Sequence, residues 1–322
     1  MIYISYPSAL RFWLDGNGRR RLTPPFKKVK MCSGNVFTRE PFEDLKFIAE
    51  DLNLPVPLSL MAPSQEQRSN NRYCTYVTKP VAMPEHSFIE ISRGVYMACP
   101  ELCFLSAARD YSLCRLVELG MCLCGTYAVI EGGQKERIPV TSVSRLKSYI
   151  DRAQGCTGVK QARTALKFVK DNSNSPMESK INAFAALSMC HGGMGINDGV
   201  PNGVVKLSAK AREHHSTDEL RVDILWRSKK VGLGYDSTQY HTTGAQLGKD
   251  NSRKTALNQD GYKILTVTAE DLRWTNRIES KFLQLAQMLG YRRRKDTFDN
   301  NQVVRRRVIG EIFMNDKPIW EP

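Results

Sequence analysis

Residues 221–236 read Arg221-Val222-Asp223-Ile224-Leu225-Trp226, then Arg-Ser-Lys-Lys, then Val231-Gly232-Leu233-Gly234-Tyr235-Asp236. Two apolar runs of strand length joined by four polar residues predict a β-hairpin, with strands over 222–226 and 231–235. One acid interrupts the first run, and another stands just past the second. An ionised carboxylate among apolar neighbours is costly unless a metal ion or a basic side chain meets it. For Asp223 the partner is either a cation taken from solution or the guanidinium of Arg221 or Arg253. The two strands of a hairpin end side by side, so Asp236 belongs to the same neighbourhood. His241, five residues on, can fold back over that end.

Working outward, Ser175-Pro176 supplies an N-cap followed by a proline in the first turn, which predicts a helix over 177–189. Glu178 lies in that first turn, where a carboxylate routinely partners the helix terminus, and taken alone it reads as a capping acid. Beyond the hairpin, the spacing predicts a helix over 249–259, a strand over 262–267 and a closing helix over 276–289. The order is therefore an acid on a helix, an acid on each of two strands with a histidine nearby, and a helix bearing Asp250 and Arg253. Metal-assisted cleavage of a phosphodiester needs this inventory: carboxylates for a hard cation, a base beside it, and positive charge for the phosphate.

At 322 residues the chain is long enough for two domains. With 41% hydrophobic and 25% charged residues it can bury an ordinary core, and it has no low-complexity tract. The 47 Lys and Arg against 33 Asp and Glu give a formal net charge of +14. That excess favours a polyanionic partner through counterion release, with simple solubility as the competing account. Basic runs occur at Arg19-Arg20-Arg21, Arg292-Arg293-Arg294-Lys295 and Arg305-Arg306-Arg307. None of the nine cysteines forms a Cys-x-x-Cys pair, so no structural zinc is expected, and most sit where a thiol acts as a small hydrophobe. With neither a secretory leader nor an apolar run near the ~18 residues of a membrane span, the expected location is the cytoplasm.

The first half predicts a mixed α/β domain. Helices are expected over 7–13, 40–52, 142–153 and 159–169, with a long one from Pro100 to about Gly120. Strands are expected over 73–78, 88–91 and 95–99, the last two as a hairpin. His86 has no partner in sequence and reads as structural. Small polar residues over 171–175 mark a boundary. The expected division is an N-terminal domain over 1–170, a second over 171–290, and a basic extension over 291–322 that includes a β-type run at 308–313.

Taken together, Glu178-Ser-Lys, Arg221-Val-Asp223, the Asp236 to His241 spacing and Asp250-x-x-Arg253-x-x-x-Leu257-x-x-x-Gly261-Tyr-Lys-Ile-Leu carry a resemblance over about residues 175–273. This stretch is similar to the very short patch repair endonuclease, to homing endonucleases of the EDxHD type and to DUF559-type domains, all within the PD-(D/E)XK nuclease superfamily. The resemblance implies a restriction-endonuclease-like mixed sheet flanked by helices, Mg²⁺ or Mn²⁺ as cofactor, and DNA as substrate. It makes Asp223 the metal-binding aspartate, with the backbone carbonyl of Tyr235 on the same ion. Asp236 takes the place of a further active-site polar group and counts as a third candidate metal ligand. His241 becomes the general base or the orienter of the attacking water, supported by Glu178. Asp250 and Arg253, with Lys249, Arg221 and the basic Arg292, Arg293 and Arg294, brace the site or meet phosphate. The first half, with Pro100-Glu-Leu-Cys-Phe-Leu and Leu116-Val-Glu-Leu-Gly, resembles proteins related to AbiEi-type antitoxins.

One departure bears on activity. The superfamily pattern carries an acid where this chain has Gly234 and a lysine where it has Asp236, and a hard cation is held by few protein oxygens. The leading expectation is a Mg²⁺-dependent DNA endonuclease or nickase serving phage defence, mobile elements or repair. A catalytically degenerate DNA-binding regulator of antitoxin type is the alternative, and RNA stays open as a substrate. Target site and oligomeric state are not legible in the sequence.

Overall fold

The computed structural model describes residues 1–16, 26–32, 42–62, 72–80, 82–236, 244–291 and 295–321. The chain divides into two compact α/β units: Met1–Asp171 together with Lys317–Pro322, and Asn172–Asp316.

The first unit runs β1 (Ile2–Ile4), α1 (Ser8–Leu14), β2 (Lys28–Val29), α2 (Phe42–Asp51), β3 (Leu58–Ala62), β4 (Cys74–Thr78), β5 (Phe88–Ser92) and β6 (Val95–Ala98). It continues with α3 (Pro100–Ala107), α4 (Leu113–Leu123), β7 (Tyr127–Ile130), β8 (Gly133–Glu136), α5 (Val143–Arg152) and α6 (Val159–Ala165). Six strands form a mixed sheet in the order β2-β5-β6-β1-β3-β4. The central β1 is buried along its whole length, so it reads as an unbroken apolar run without polar alternation. The single helix expected from Pro100 onward is two, because the Ser112 hydroxyl accepts the Arg115 N–H and caps a new start. Residues after 316 return to this unit, where the Tyr111 hydroxyl donates to the Ile319 carbonyl at 2.7 Å.

The second unit runs α7 (Pro176–Ala186), β9 (Val200–Lys206), α8 (Ala209–Arg212), β10 (Glu219–Trp226), β11 (Val231–Asp236), α9 (Gly244–Gln259), β12 (Lys263–Thr268), α10 (Thr275–Met288), α11 (Lys295–Asn300) and α12 (Gln302–Phe313). Its sheet has the order β12-β11-β10-β9. The strands β9, β10 and β11 are antiparallel neighbours, while β12 lies parallel to β11 after the α9 crossover. This is a mixed sheet flanked by helices. A buried cluster of Val205, Leu207, Ala211, Leu220, Val222, Leu225, Ala256 and Leu257 fastens α8 and α9 to it. Phe184 of α7 meets Phe282 of α10 edge-on at 4.8 Å and Phe313 at 5.7 Å, joining α7, α10 and the end of α12.

In this unit one element was not anticipated and one differs from expectation. Strand β9, which is not among the elements expected from the sequence, contains Pro201 and Gly203, which are accommodated on an edge strand. At Gly203 an added Cβ would stand 2.3 Å from the Cβ of Leu225, so only glycine permits that approach. The β-type run expected at 308–313 is the helix α12, whose buried side chains Arg305, Val308, Ile309 and Ile312 follow helical spacing. The segment expected as a basic extension thus contributes a core helix. Among the described residues no helix is long and apolar enough to cross a membrane. The nine cysteines are free thiols.

Candidate active site

The antiparallel ladder between β10 and β11 runs Trp226↔Val231, Leu225↔Gly232 and Ile224↔Leu233. One residue further, the Oδ2 of Asp223 accepts the backbone N–H of Tyr235 at 2.6 Å. The side chain thus occupies the place of the next rung. Strand β11 meanwhile stays paired with β12 as far as Asp236↔Thr268. Gly234 lies beside the carboxylate: a Cβ there would be 3.9 Å from Asp223 Oδ2, ordinary van der Waals contact with room to spare.

Glu178, in the first turn of α7, lies within the electrostatic reach of the same carboxylate. Its N–H donates to the Ser175 hydroxyl at 3.1 Å, and its Oε2 accepts the N–H of Asn174 at 2.9 Å, so the capping role is made in full. Burial chiefly, and then the negative charge of Asp223, push the Glu178 carboxyl up to about 7. Asp223 is raised by burial, against which the Tyr235 N–H and the Arg253 guanidinium pull it down. Two half-buried acids from separate elements, α7 and β10, are thus both raised chiefly by burial, and the charge of Asp223 acts on Glu178.

The other expected residues fall as follows. Arg253 of α9 donates to the Arg221 carbonyl, acting on Asp223 through its charge and not as a hydrogen-bonded pair. Arg221 has an exposed side chain on β10. Asp236 is half-buried at the end of β11, and its carbonyl accepts the Ala269 N–H at 3.3 Å. It is not gathered with Glu178 and Asp223: no group of three His, Cys, Asp or Glu side chains able to hold a metal forms among the described residues. The Tyr235 hydroxyl is raised by burial and by Asp236. His241 and Arg292, Arg293 and Arg294 lie outside the described residues, and Lys249 and Asp250 are described only in the backbone of α9.

Among the expected metal ligands, the side chains of Glu178 and Asp223 are the two carboxylates that act on one another here. Two neighbours were not anticipated. Asn174 fixes the Glu178 carboxylate, a backbone role that no side-chain motif announces. Past the end of β12, Glu270 gathers Arg273, Trp274 and Arg277, a convergence visible only once the turn is folded.

No protein-family model matches the chain, and no solved structure gives a significant match. An uncharacterised protein found in two strains of Mycobacterium tuberculosis is 25% identical over 130 residues. The match takes in 40% of this chain and 43% of that relative's length.

Proposed function

We propose that residues 172–316 form a Mg²⁺- or Mn²⁺-dependent nuclease domain of the PD-(D/E)XK type acting on DNA. The observation that carries this reading is the action of the Asp223 charge on Glu178, with Asp223 standing where the β10–β11 ladder gives way and each carboxyl raised by its surroundings. Perturbed, coupled acids of this kind are characteristic of functional sites. The mixed sheet supports the reading, with one acid on the helix before it and one on its second strand.

Asp223 and Glu178 would hold the ion, with the Tyr235 carbonyl as a third candidate. When bound, the cation would supply Lewis-acid stabilisation of charge on the phosphate. Asp223 is fixed by the Tyr235 N–H, so its remaining oxygen is presented in one orientation. Glu178 exchanges a proton near neutral pH and therefore changes charge within the working range. Arg253 adds positive charge beside the site. The net +14 favours a nucleic-acid partner, and the nine free thiols favour a reducing cytoplasm.

Gly234 favours a second reading, a DNA-binding regulator without cleavage, because no side-chain oxygen stands at that position beside Asp223. Incubating supercoiled plasmid with the protein and Mg²⁺, then with Asp223→Ala, separates the two. Relaxation or linearisation that the substitution abolishes is the expected result. Retained plasmid binding with no cleavage by either form supports the regulator instead.

A further inference from the structure

We infer that Glu270, Arg273, Trp274 and Arg277 form a platform on which an unpaired polynucleotide strand stacks; this rests on the nuclease reading for its biological sense but not for its test. Trp274 is 56% exposed, an unusual setting for the largest apolar ring. It is nevertheless held in place. Its indole N–H donates to Glu270 Oε1 at 3.2 Å, and the same carboxylate takes Arg277 Nη1 at 3.0 Å and Arg273 Nη1 at 3.3 Å. One acid thus holds an exposed ring together with two guanidinium groups that are 66% and 51% exposed, leaving a net positive charge.

The turn beneath is rigid. Asp271 Oδ2 accepts the N–H and the hydroxyl of Thr268, both at 2.9 Å, and pairs with Lys281 at 3.3 Å, while Leu272 is buried. A ring that is already ordered loses little freedom on binding. Because Thr268 pairs with Asp236, the platform follows the same end of the sheet at which Asp236 closes β11.

The occupant is set by chemistry. An indole face offers stacking to a planar group, and guanidiniums gathered on the same carboxylate match the phosphates of the strand that carries it. In a duplex the base faces are covered by their neighbours, so the ring takes a strand whose bases are unpaired.

The test is equilibrium binding of fluorescently labelled oligodeoxythymidylate, of the uridine oligomer, and of a duplex of equal length, all in EDTA so that cleavage plays no part. Trp274→Ala should weaken binding of the single strand, deoxy or ribo, by about tenfold, within the range for losing one stacked base. Duplex binding should stay unchanged, and Trp274→Phe should restore most of the loss. Replacing Arg273 and Arg277 with Gln should flatten the salt dependence by roughly 1.4 in log–log slope, the contribution of two phosphate contacts on a single strand. Wild-type affinity in Trp274→Ala, equal losses on single strand and duplex, or no single-strand binding by the unsubstituted protein would each overturn the inference. Loss of cleavage in Asp223→Ala has no bearing on these readings, so the platform and the nuclease fail separately.

Discussion

Asp223 and Tyr235 are joined by a hydrogen bond in which a side chain replaces a ladder rung: Oδ2 of the carboxylate accepts the backbone N–H at 2.6 Å. The bond orients Asp223 without neutralising it. Asp223→Asn should preserve the acceptor and the fold while removing the charge. Mg²⁺ at a hundred times its dissociation constant stabilises a folded protein by about 2.7 kcal/mol. The wild-type melting temperature should therefore rise on addition of Mg²⁺ at pH 8, and that of Asp223→Asn should not. Equal shifts in the two proteins would place the ion elsewhere.

Glu178 gives the site a pH signature. Its carboxyl is raised to about 7 in the folded protein against an ordinary value of 4.5, so between these limits the native state binds the proton that the unfolded state has lost. The contribution to stability therefore declines as pH rises from about 4.5 to about 7, by up to ~3 kcal/mol. Glu178→Gln keeps an acceptor for Asn174 and cannot ionise. Melting curves without metal should show the variant more stable than wild type at pH 8 and about equal at pH 4. The same acid-to-neutral slope in both proteins would mean that Glu178 does not titrate there.

The run Arg305-Arg306-Arg307 divides by burial. Arg305 is 1% exposed, donates to Glu279 at 2.9 Å and to the Phe298 carbonyl at 3.0 Å, and lies 3.5 Å over the Phe298 ring. Arg306 is exposed. Removing one partner of a buried pair leaves the other charge stranded, at a cost of about 3–5 kcal/mol. Arg305→Ala should lower the urea midpoint markedly, whereas Arg306→Ala should alter stability by less than ~0.5 kcal/mol. Comparable effects from the two substitutions would contradict this division.

What was legible followed the physics that leaves a mark in sequence. The hairpin of β10 and β11 showed itself because apolar runs flank a polar turn, and the start of α7 because Ser175 and Pro176 are capping residues. Strand β9 was hidden by Pro201 and Gly203, which an edge position and a close approach to Leu225 accommodate. Helix α12 read as a strand because Val308 and Ile309 are β-branched, although Arg305, Val308, Ile309 and Ile312 keep helical spacing. A buried arginine breaks the apolar stripe that would have announced the helix. The order of acids along the chain puts Glu178 and Asp223 in one set, but the shift of each carboxyl depends on burial, which no spacing encodes. The exposure of Trp274 is equally a property of the folded turn.

Gly234 offers the sharpest separation between a working and a relic site. Its φ is not in the left-handed region, and among the described residues a Cβ would meet Asp223 Oδ2 at 3.9 Å and Ile264 Cγ2 at 4.0 Å. A side chain is therefore sterically acceptable there, and one carrying an acid would stand beside Asp223. In EDTA, Gly234→Glu adds a third negative charge to an already crowded pair and should lower the melting temperature. With Mg²⁺ the same charge becomes a ligand, so the metal-induced rise should exceed that of wild type and reach half-maximum at a lower concentration. If the added acid leaves both the metal-free stability and the Mg²⁺ dependence as they were, Gly234 does not adjoin a cation site, and the regulator reading gains at the expense of the nuclease.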